Sequence, residues 1–222
     1  MKWKLFKSLL FIFLIFTIMG TQCDRFEYPS RNLQYDFTQS ISLYPYKKQY
    51  NINDTIWISL NTPSKILLDK ISNRLIGADS ISLGLQLNMV KIFPNTPPVD
   101  PSAYCEFLIL SNLNPDYNNY GTGYATYLRY GCDNNPGYIF RFGVVLKGAG
   151  TFSIELIEKK ETGLCIPNSS TNVTYSQITH SFNLADCNKD IYLGIPAPAR
   201  GNMSSQNESK IDRKQYFVFE VH

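Results

Sequence analysis

Histidine is almost missing from this chain of 222 residues, which contains His180 and His222 and no others. A serine or cysteine nucleophile of the triad type needs an imidazole as its base, so such a site would have to use His180. Two histidines far apart in the chain, without a clustered carboxylate motif, also make a poor ligand set for a transition metal. The sequence therefore predicts no catalytic residue, no metal site and no cofactor.

The chain also lacks a glycine-rich phosphate loop, a G-x-G-x-x-G motif after a strand and a stripe of basic residues. Its formal charge of +3 arises from Lys2, Lys4 and Lys7, which precede the first acidic residue. Without these three lysines, the 21 basic residues become 18, against 18 acidic ones. A neutral remainder gives no electrostatic reason to expect nucleic acid as a partner.

The N-terminal segment 1–22 has the features of a signal peptide. Its three lysines are followed by a nearly unbroken apolar run over residues 9–19. This run suits the core of a signal peptide and falls short of the roughly 20 residues that a spanning helix needs. We expect the protein to be exported, and the alternative is that the segment stays as an uncleaved anchor.

Cys23 stands directly after this segment, and a cysteine in that place resembles the lipobox of bacterial lipoproteins. That family prefers an aliphatic residue and a small residue where this chain has Gly20 and Gln22. The resemblance implies that Cys23 is the lipid attachment site and that the acyl chains hold the protein on the bacterial outer membrane or cell surface. Cleavage after Gly20, which would release a soluble secreted protein, is the alternative.

The number of cysteines agrees with a lipid on Cys23, because the chain has five and an odd number leaves one thiol unexplained. The four others can form two disulfides, in three possible pairings. The shortest loops favour Cys105–Cys132 and Cys165–Cys187, each contributing roughly 3 kcal/mol in the chain-entropy model. Four reduced, buried thiols are the alternative, and the absence of a C-x-x-C motif argues against zinc.

The remainder of the chain alternates between apolar and polar residues with a period of two, which is typical of half-buried strands. Strands are predicted over residues 33–44, 55–60, 81–89, 105–110, 124–130, 138–146, 151–157 and 216–221. Residues 64–76 fit either a helix or two strands, and we favour the strands because their surroundings are β. Residues 174–182 fit a strand or a short helix.

Turn-forming residues separate these segments. We expect a turn at 51–54 with Asp54 bound to its own backbone, a long loop at 112–123, a hairpin turn at 147–150 and little structure at 195–209. The prediction is an all-β protein with one β-sandwich domain, Ig-like or elaborated, over residues 33–222, after a tether at 23–32.

Three short motifs resemble exported lipoproteins of Bacteroidetes-type bacteria. They are an Ile/Leu strand that ends at a proline, a polar turn before an "xDTIWI" strand, and a glycine before an aromatic strand, here at 41–45, 53–58 and 150–154. The resemblance implies export, a β-rich fold and a location in the cell envelope. It implies no catalytic residue.

Tyrosines are frequent in the middle of the chain, where they could contact a protein or a glycan. The candidate contact residues are Tyr117, Tyr120, Tyr124 and Tyr127. Ordinary cross-strand packing is the alternative explanation.

The functional prediction is a non-enzymatic binding or structural module that binds a protein or a glycan. Two alternatives remain: a secreted glycan-active enzyme that uses carboxylates, and a surface subunit that assembles by strand exchange. Among the acidic residues, Glu155 alternates with apolar neighbours and is expected to point outward from its strand.

Overall fold

The computed structural model describes residues 35–79, 81–94, 103–109, 114–120, 123–157, 159–161, 165, 176–200 and 204–222. At 109, 114–120, 123–124, 159–161 and 176 the description covers the backbone alone. The predicted signal peptide at 1–22, Cys23 and the tether at 23–32 lie outside the described residues.

Fourteen strands and three short helices make up the described part of the chain. The strands are β1 (Tyr35–Tyr44), β2 (Gln49–Tyr50), β3 (Thr55–Asn61), β4 (Ile66–Asp69), β5 (Arg74–Gly77), β6 (Leu83–Phe93), β7 (Cys105–Ile109), β8 (Asn114–Tyr120), β9 (Gly123–Tyr130), β10 (Ile139–Leu146), β11 (Gly150–Ile157), β12 (Lys159–Glu161), β13 (Ser176–Phe182) and β14 (Tyr216–Val221). The helices are α1 (Lys189–Gly194), α2 (Ala197–Arg200) and α3 (Ser204–Asp212).

Two six-stranded sheets pack face to face as a β-sandwich, which confirms the predicted fold class. The first sheet has the order β12-β13-β1-β3-β10-β7 and the second β2-β14-β11-β6-β9-β8. A separate hairpin, β4–β5, confirms that residues 64–76 form two strands.

The core follows directly from the alternation in the sequence. Along β1, every odd-numbered residue from Tyr35 to Leu43 is buried and the residues between them are half-buried or exposed. Opposite them, the second sheet contributes Leu83, Leu85 and Leu87, all fully buried. Burial of one apolar side chain contributes about 1.5–3 kcal/mol, so these two facing layers are the main source of stability.

His180 is a buried interior residue that connects the two sheets. It lies on β13 in the first sheet, and its Nε2 is 2.7 Å from the hydroxyl of Tyr130 on β9 in the second. Burial lowers the pKa of His180 to about 3, so the imidazole is neutral near pH 7. Its Nδ1 has no hydrogen-bond partner among the described residues.

Two predictions about connections were wrong. Residues 112–123, expected as a loop, contain β8, which pairs with β9 despite its Asn, Pro and Asp residues because the partner strand supplies the hydrogen bonds. The turn at 147–150 does not close a hairpin, since β10 belongs to the first sheet and β11 to the second. A glycine-rich turn can join two strands of one sheet or two strands of different sheets. Which of the two forms depends on the strands, distant in sequence, that pair with β10 and β11.

The prediction of little structure at 195–209 was also wrong for the described residues, which contain α2 and the start of α3. The helices pack over the outer face of the second sheet, with Tyr192 and Ile211 buried against it. Apolar contact therefore overrides a composition of Pro, Ser and Asn that is unfavourable for helices.

Glu155 points outward from its strand, as predicted, and is nevertheless buried. It lies on the outer face of β11, but α3 covers that face and Lys210 forms an ion pair with its carboxylate. The turn at 51–54 is as predicted, with the Asn51 N–H donating to the carboxylate of Asp54 at 3.0 Å.

The predicted cysteine pairing was wrong. Cys132 and Cys165 form a disulfide, while Cys105 and Cys187 are free and buried. Burial raises the pKa of both free thiols to about 12. Loop length misled the prediction because strand positions, and not separation along the chain, decide which cysteines meet.

Candidate functional site

The outer face of the first sheet carries a group of aromatic, aliphatic and basic side chains. Three neighbouring strands, β1, β3 and β10, place them there through their register: Tyr44 pairs with Trp57, and Trp57 with Gly143. Residues paired across strands share a face, as do residues two apart on one strand. We call Tyr44, Trp57, Ile139 and Arg141 the aromatic platform.

Arg141 and Trp57 form the centre of the platform. The Arg141 guanidinium carbon lies 4.4 Å from the centre of the Trp57 ring, within the range of a cation–π contact. Trp57 is half-buried and Arg141 is exposed. The stack therefore holds a long, flexible cationic side chain in place on the surface.

Gly143 creates the space in which the Trp57 ring lies. A Cβ atom at this position would come within 3.0 Å of Trp57 Cζ3 and 2.8 Å of Thr55 Cγ2. Any larger residue would thus push the ring away from the sheet. The absence of a side chain here sets the height of the indole above the strands.

Tyr44 and Ile139 present apolar surface on either side of this stack. Tyr44 is 72% exposed and Ile139 is 46% exposed. Ser42 and Ser59 are paired in the next row of the register and add hydroxyl groups to the same face. Exposed aromatic and aliphatic groups beside an ordered arginine form a surface suited to binding another molecule.

The tyrosines singled out from the sequence are distributed over two strands. Tyr117 and Tyr120 lie on β8, and Tyr124 and Tyr127 on β9. The register places Tyr117 and Tyr124 at positions on one face of the sheet and Tyr120 and Tyr127 at positions on the other, so the four do not form one row. The side chains of the first three lie outside the description, and their contact with a ligand stays a prediction.

Tyr127 is half-buried, with the guanidinium carbon of Arg129 5.7 Å from its ring. The lipid attachment site predicted at Cys23 lies outside the described residues. Of the four disulfide candidates, Cys132 and Cys165 are bonded to one another.

Within the described parts of the chain, three carboxyl groups have pKa values shifted from the ordinary one, and all three are lowered. A hydrogen bond from Tyr46 lowers the pKa of Asp186, and one from Lys48 lowers that of Asp190. For Asp69, burial acts to raise the pKa, but hydrogen bonds from Ser72 and from backbone N–H groups outweigh it. The described residues contain no group of three or more His, Cys, Asp or Glu side chains placed to hold a metal ion.

The platform was not predicted, although its signals are present in the sequence. Tyr44 and Trp57 were placed in strands, but the partner of each strand was unknown. Only the register brings Arg141, far away in the chain, onto Trp57. A search for aromatic residues at polar positions of alternating strands would have identified Tyr44 and Trp57.

Comparison with known proteins gives structural likeness without a family. No family model and no curated protein matches the chain. Among solved structures, a human F-spondin reeler domain matches at a TM-score of 0.31 and 11% identity over 68% of this chain and 98% of that one. A type II cohesin domain from the cellulosome of Acetivibrio cellulolyticus matches at a TM-score of 0.27 and 16% identity over 66% of this chain and 92% of that one. A non-cellulosomal cohesin from Archaeoglobus fulgidus matches at a TM-score of 0.26 and 8% identity over 74% of this chain and 100% of that one. Scores this low do not establish a shared function.

Within the described residues, no helix combines the length and the hydrophobicity required to cross a bilayer.

Proposed function

We propose that this chain is a non-enzymatic β-sandwich module, exported and anchored by a lipid on Cys23, which binds a protein partner through the aromatic platform. The observation that carries the proposal is the stack of Arg141 on Trp57 beside a largely exposed Tyr44. These side chains lie on a regular sheet, where the backbone holds them in fixed relative positions.

The composition of the platform favours a protein as the ligand. Trp, Tyr and Arg are the residues that most often dominate the binding energy of protein interfaces. An arginine already ordered by stacking loses less conformational entropy on binding than a free one. The serines around the platform supply the polar rim that such interfaces have.

A glycan is the second candidate ligand, and Tyr44 is the observation that favours it. An aromatic ring that is 72% exposed can stack on a sugar, and the hydroxyl of Ser42 lies on the same face. Tyr44 would then contribute more to binding than Arg141, whereas a protein interface would depend on Trp57 and Arg141 together.

The carboxyl groups of the described residues give no support to the glycosidase alternative. A general acid that protonates a glycosidic oxygen needs a raised pKa. Asp69, Asp186 and Asp190 have lowered pKa values, and each is fixed by hydrogen bonds.

Strand exchange is disfavoured by the position of the last strand. β14 lies between β2 and β11 in the second sheet, and five of its six residues are buried. Removing it would expose Phe217 and Phe219 at the centre of the core, at a cost of several kcal/mol.

A photo-crosslinking amino acid placed at Tyr44 tests the binding proposal in intact cells. We expect crosslinking to one protein, with strong reduction in Trp57→Ala and Arg141→Ala variants. The control carries the crosslinker at Leu193, which is 48% exposed on α1 and outside the platform. The same adducts from both positions would contradict the proposal, and glycan binding that depends on Tyr44 alone would favour the second candidate.

The anchor is tested separately by mass spectrometry of the mature N-terminus. A diacylglyceryl group on Cys23 is the expected result. A mature chain that begins with unmodified Thr21 would disprove the lipid anchor and leave the binding proposal intact.

A further inference from the structure

The β4–β5 hairpin, residues 66–77, exposes three aliphatic side chains. Leu68 and Leu75 are directly paired across its two strands and are 51% and 41% exposed. Ile71 lies in the turn between the strands and is 62% exposed. Three large aliphatic groups at one hairpin are unusual on a surface in contact with water alone.

The exposed charges of the same hairpin are positive. Lys70 and Arg74 are exposed, while the single acidic residue, Asp69, is 1% exposed. The carboxylate of Asp69 accepts hydrogen bonds from the backbone N–H groups of Asp36, Ile71 and Ser72 and from the Ser72 hydroxyl. Its negative charge is therefore directed into the fold, and the hairpin presents aliphatic and basic groups to the outside.

The hairpin is fixed beside the point at which the described chain begins. The Asp36 N–H donates to Asp69 at 2.8 Å, and the Lys70 N–H donates to the Asp36 carbonyl at 2.8 Å. At its other end, the buried Lys65 ammonium donates to the carbonyls of Gly131 and Asp133. These contacts hold the hairpin rigidly against the sandwich.

From these observations we infer that the β4–β5 hairpin inserts its tip into the surface of an anionic lipid bilayer and thereby sets the orientation of the domain. Aliphatic side chains enter the boundary between headgroups and acyl chains, and basic side chains pair with anionic headgroups. A second copy of the chain is a less suitable partner for this hairpin, because contact between two such tips would bring the positive charges of Lys70 and Arg74 of both copies together.

The position of the hairpin agrees with the anchor, and on this point the inference rests on the proposed function. Eleven residues lie between Cys23 and Tyr35, and the twelve residue steps that join them span at most about 40 Å. A lipid on Cys23 would therefore keep the hairpin close to the same membrane. Anchor and hairpin together would restrict the rotation of the domain, which attachment at a single point cannot do.

This orientation has a consequence for the platform. The hairpin is attached at the start of β1, whereas Tyr44 is the last residue of that strand. Eight residue steps along a strand cover about 27 Å. Docking of the hairpin would thus direct the Tyr44 end of the platform away from the bilayer, where a partner can reach it.

Fluorescence quenching by brominated lipid tests the insertion directly. Trp57 is the single native tryptophan after Cys23, so it is changed to Phe in the anchored protein, and Ile71→Trp then adds a single reporter. The protein is bound to vesicles of phosphatidylethanolamine and phosphatidylglycerol that contain bromolipid. We expect quenching at least about threefold stronger than for a matched Leu193→Trp reporter, and a clear decrease when Lys70 and Arg74 are both Gln.

Flotation with the vesicles distinguishes the anchor from the hairpin. If the protein floats while the two reporters are quenched equally, the insertion is disproved and the anchor stands. If a Cys23→Ser variant still shows selective quenching at position 71, the hairpin binds lipid without the anchor. A dimer in solution that Leu68→Ser with Leu75→Ser dissociates would assign the patch to a second copy and overturn the inference.

Discussion

The outer faces of the two sheets differ although both are built from the same alternating pattern. On the second sheet, α1 and α3 pack on β14, α2 packs on β6, and residues 151–156 are buried on both faces. On the first sheet, Tyr44, Arg141 and Ile139 of the platform remain exposed.

The two faces use similar residues for different purposes. Tyr192 of the covered side packs its ring on Tyr216, with 6.2 Å between the ring centres, and has no exposed surface. Tyr44 of the open side is 72% exposed. The covered face therefore contributes to stability and the open face is available for binding, so substitutions on the two faces should have separable effects.

The largest difference is expected when one tyrosine of each face is truncated. Tyr192→Ala removes a fully buried ring and should lower the free energy of unfolding by about 3–5 kcal/mol. Tyr44→Ala should change it by less than about 0.5 kcal/mol, because little surface is lost. Urea denaturation measures both, and similar losses for the two variants would show that the open face is structural.

The fold of the central strands could be predicted from the sequence because burial alternates with residue number. β1, β3 and β6 were located within a few residues by that pattern alone. The sheet to which β10 and β11 each belong could not be predicted from the sequence, because it depends on which strands, distant in the chain, pair with them.

The two outer faces were equally unpredictable, for a related reason. Glu155 and Trp57 both occupy outward strand positions, and one is buried while the other is half-buried. What decides this is the presence of a covering helix, and the Ser- and Pro-rich sequence of α2 and α3 does not predict helices. The alternating pattern gives no information about a third layer, so the sequence could not show which outer face is covered and which is open.

Acidification should lower the stability of the protein through His180, which is buried between the two sheets. The pKa of His180 is about 3 in the folded protein and 6.5 in an exposed chain, so the unfolded state binds the proton more strongly. Its contribution to stability is complete above pH 6.5 and is lost as the pH falls towards 3. The loss between pH 7 and pH 5 should be about 2 kcal/mol.

Unfolding curves at several pH values, recorded for the native chain and for His180→Gln, isolate this effect. The variant has no imidazole to titrate, so its stability should be flatter between pH 7 and pH 5. Parallel curves for the two proteins would mean that His180 is protonated equally easily in both states.

A smaller loss of stability is expected at the ion pair between Glu155 and Lys210, beneath α3. Glu155→Gln removes the charge that pairs with Lys210 while keeping the shape of the side chain. Because both groups are largely buried, we expect a loss of about 1–2 kcal/mol. The exposed pair of Lys48 and Asp190 is the control, where Asp190→Asn should cost less than about 0.5 kcal/mol. Equal losses would show that α3 does not shield the pair from water.

A smaller change in stability than for Glu155→Gln is expected for Gly143→Ala, which lies beneath the Trp57 ring of the platform. The added methyl group would meet Trp57 Cζ3 at 3.0 Å and displace the ring, but alanine is favoured over glycine in a strand by about 0.5–1 kcal/mol. These terms oppose each other, so unfolding should shift by less than about 1 kcal/mol. Displacement of the indole should nevertheless weaken its stack with Arg141, increase acrylamide quenching of Trp57 fluorescence and reduce crosslinking from Tyr44. Unchanged quenching would mean that the ring does not rest on Gly143. Reduced crosslinking without loss of stability would assign the open face to binding, as the proposed function requires.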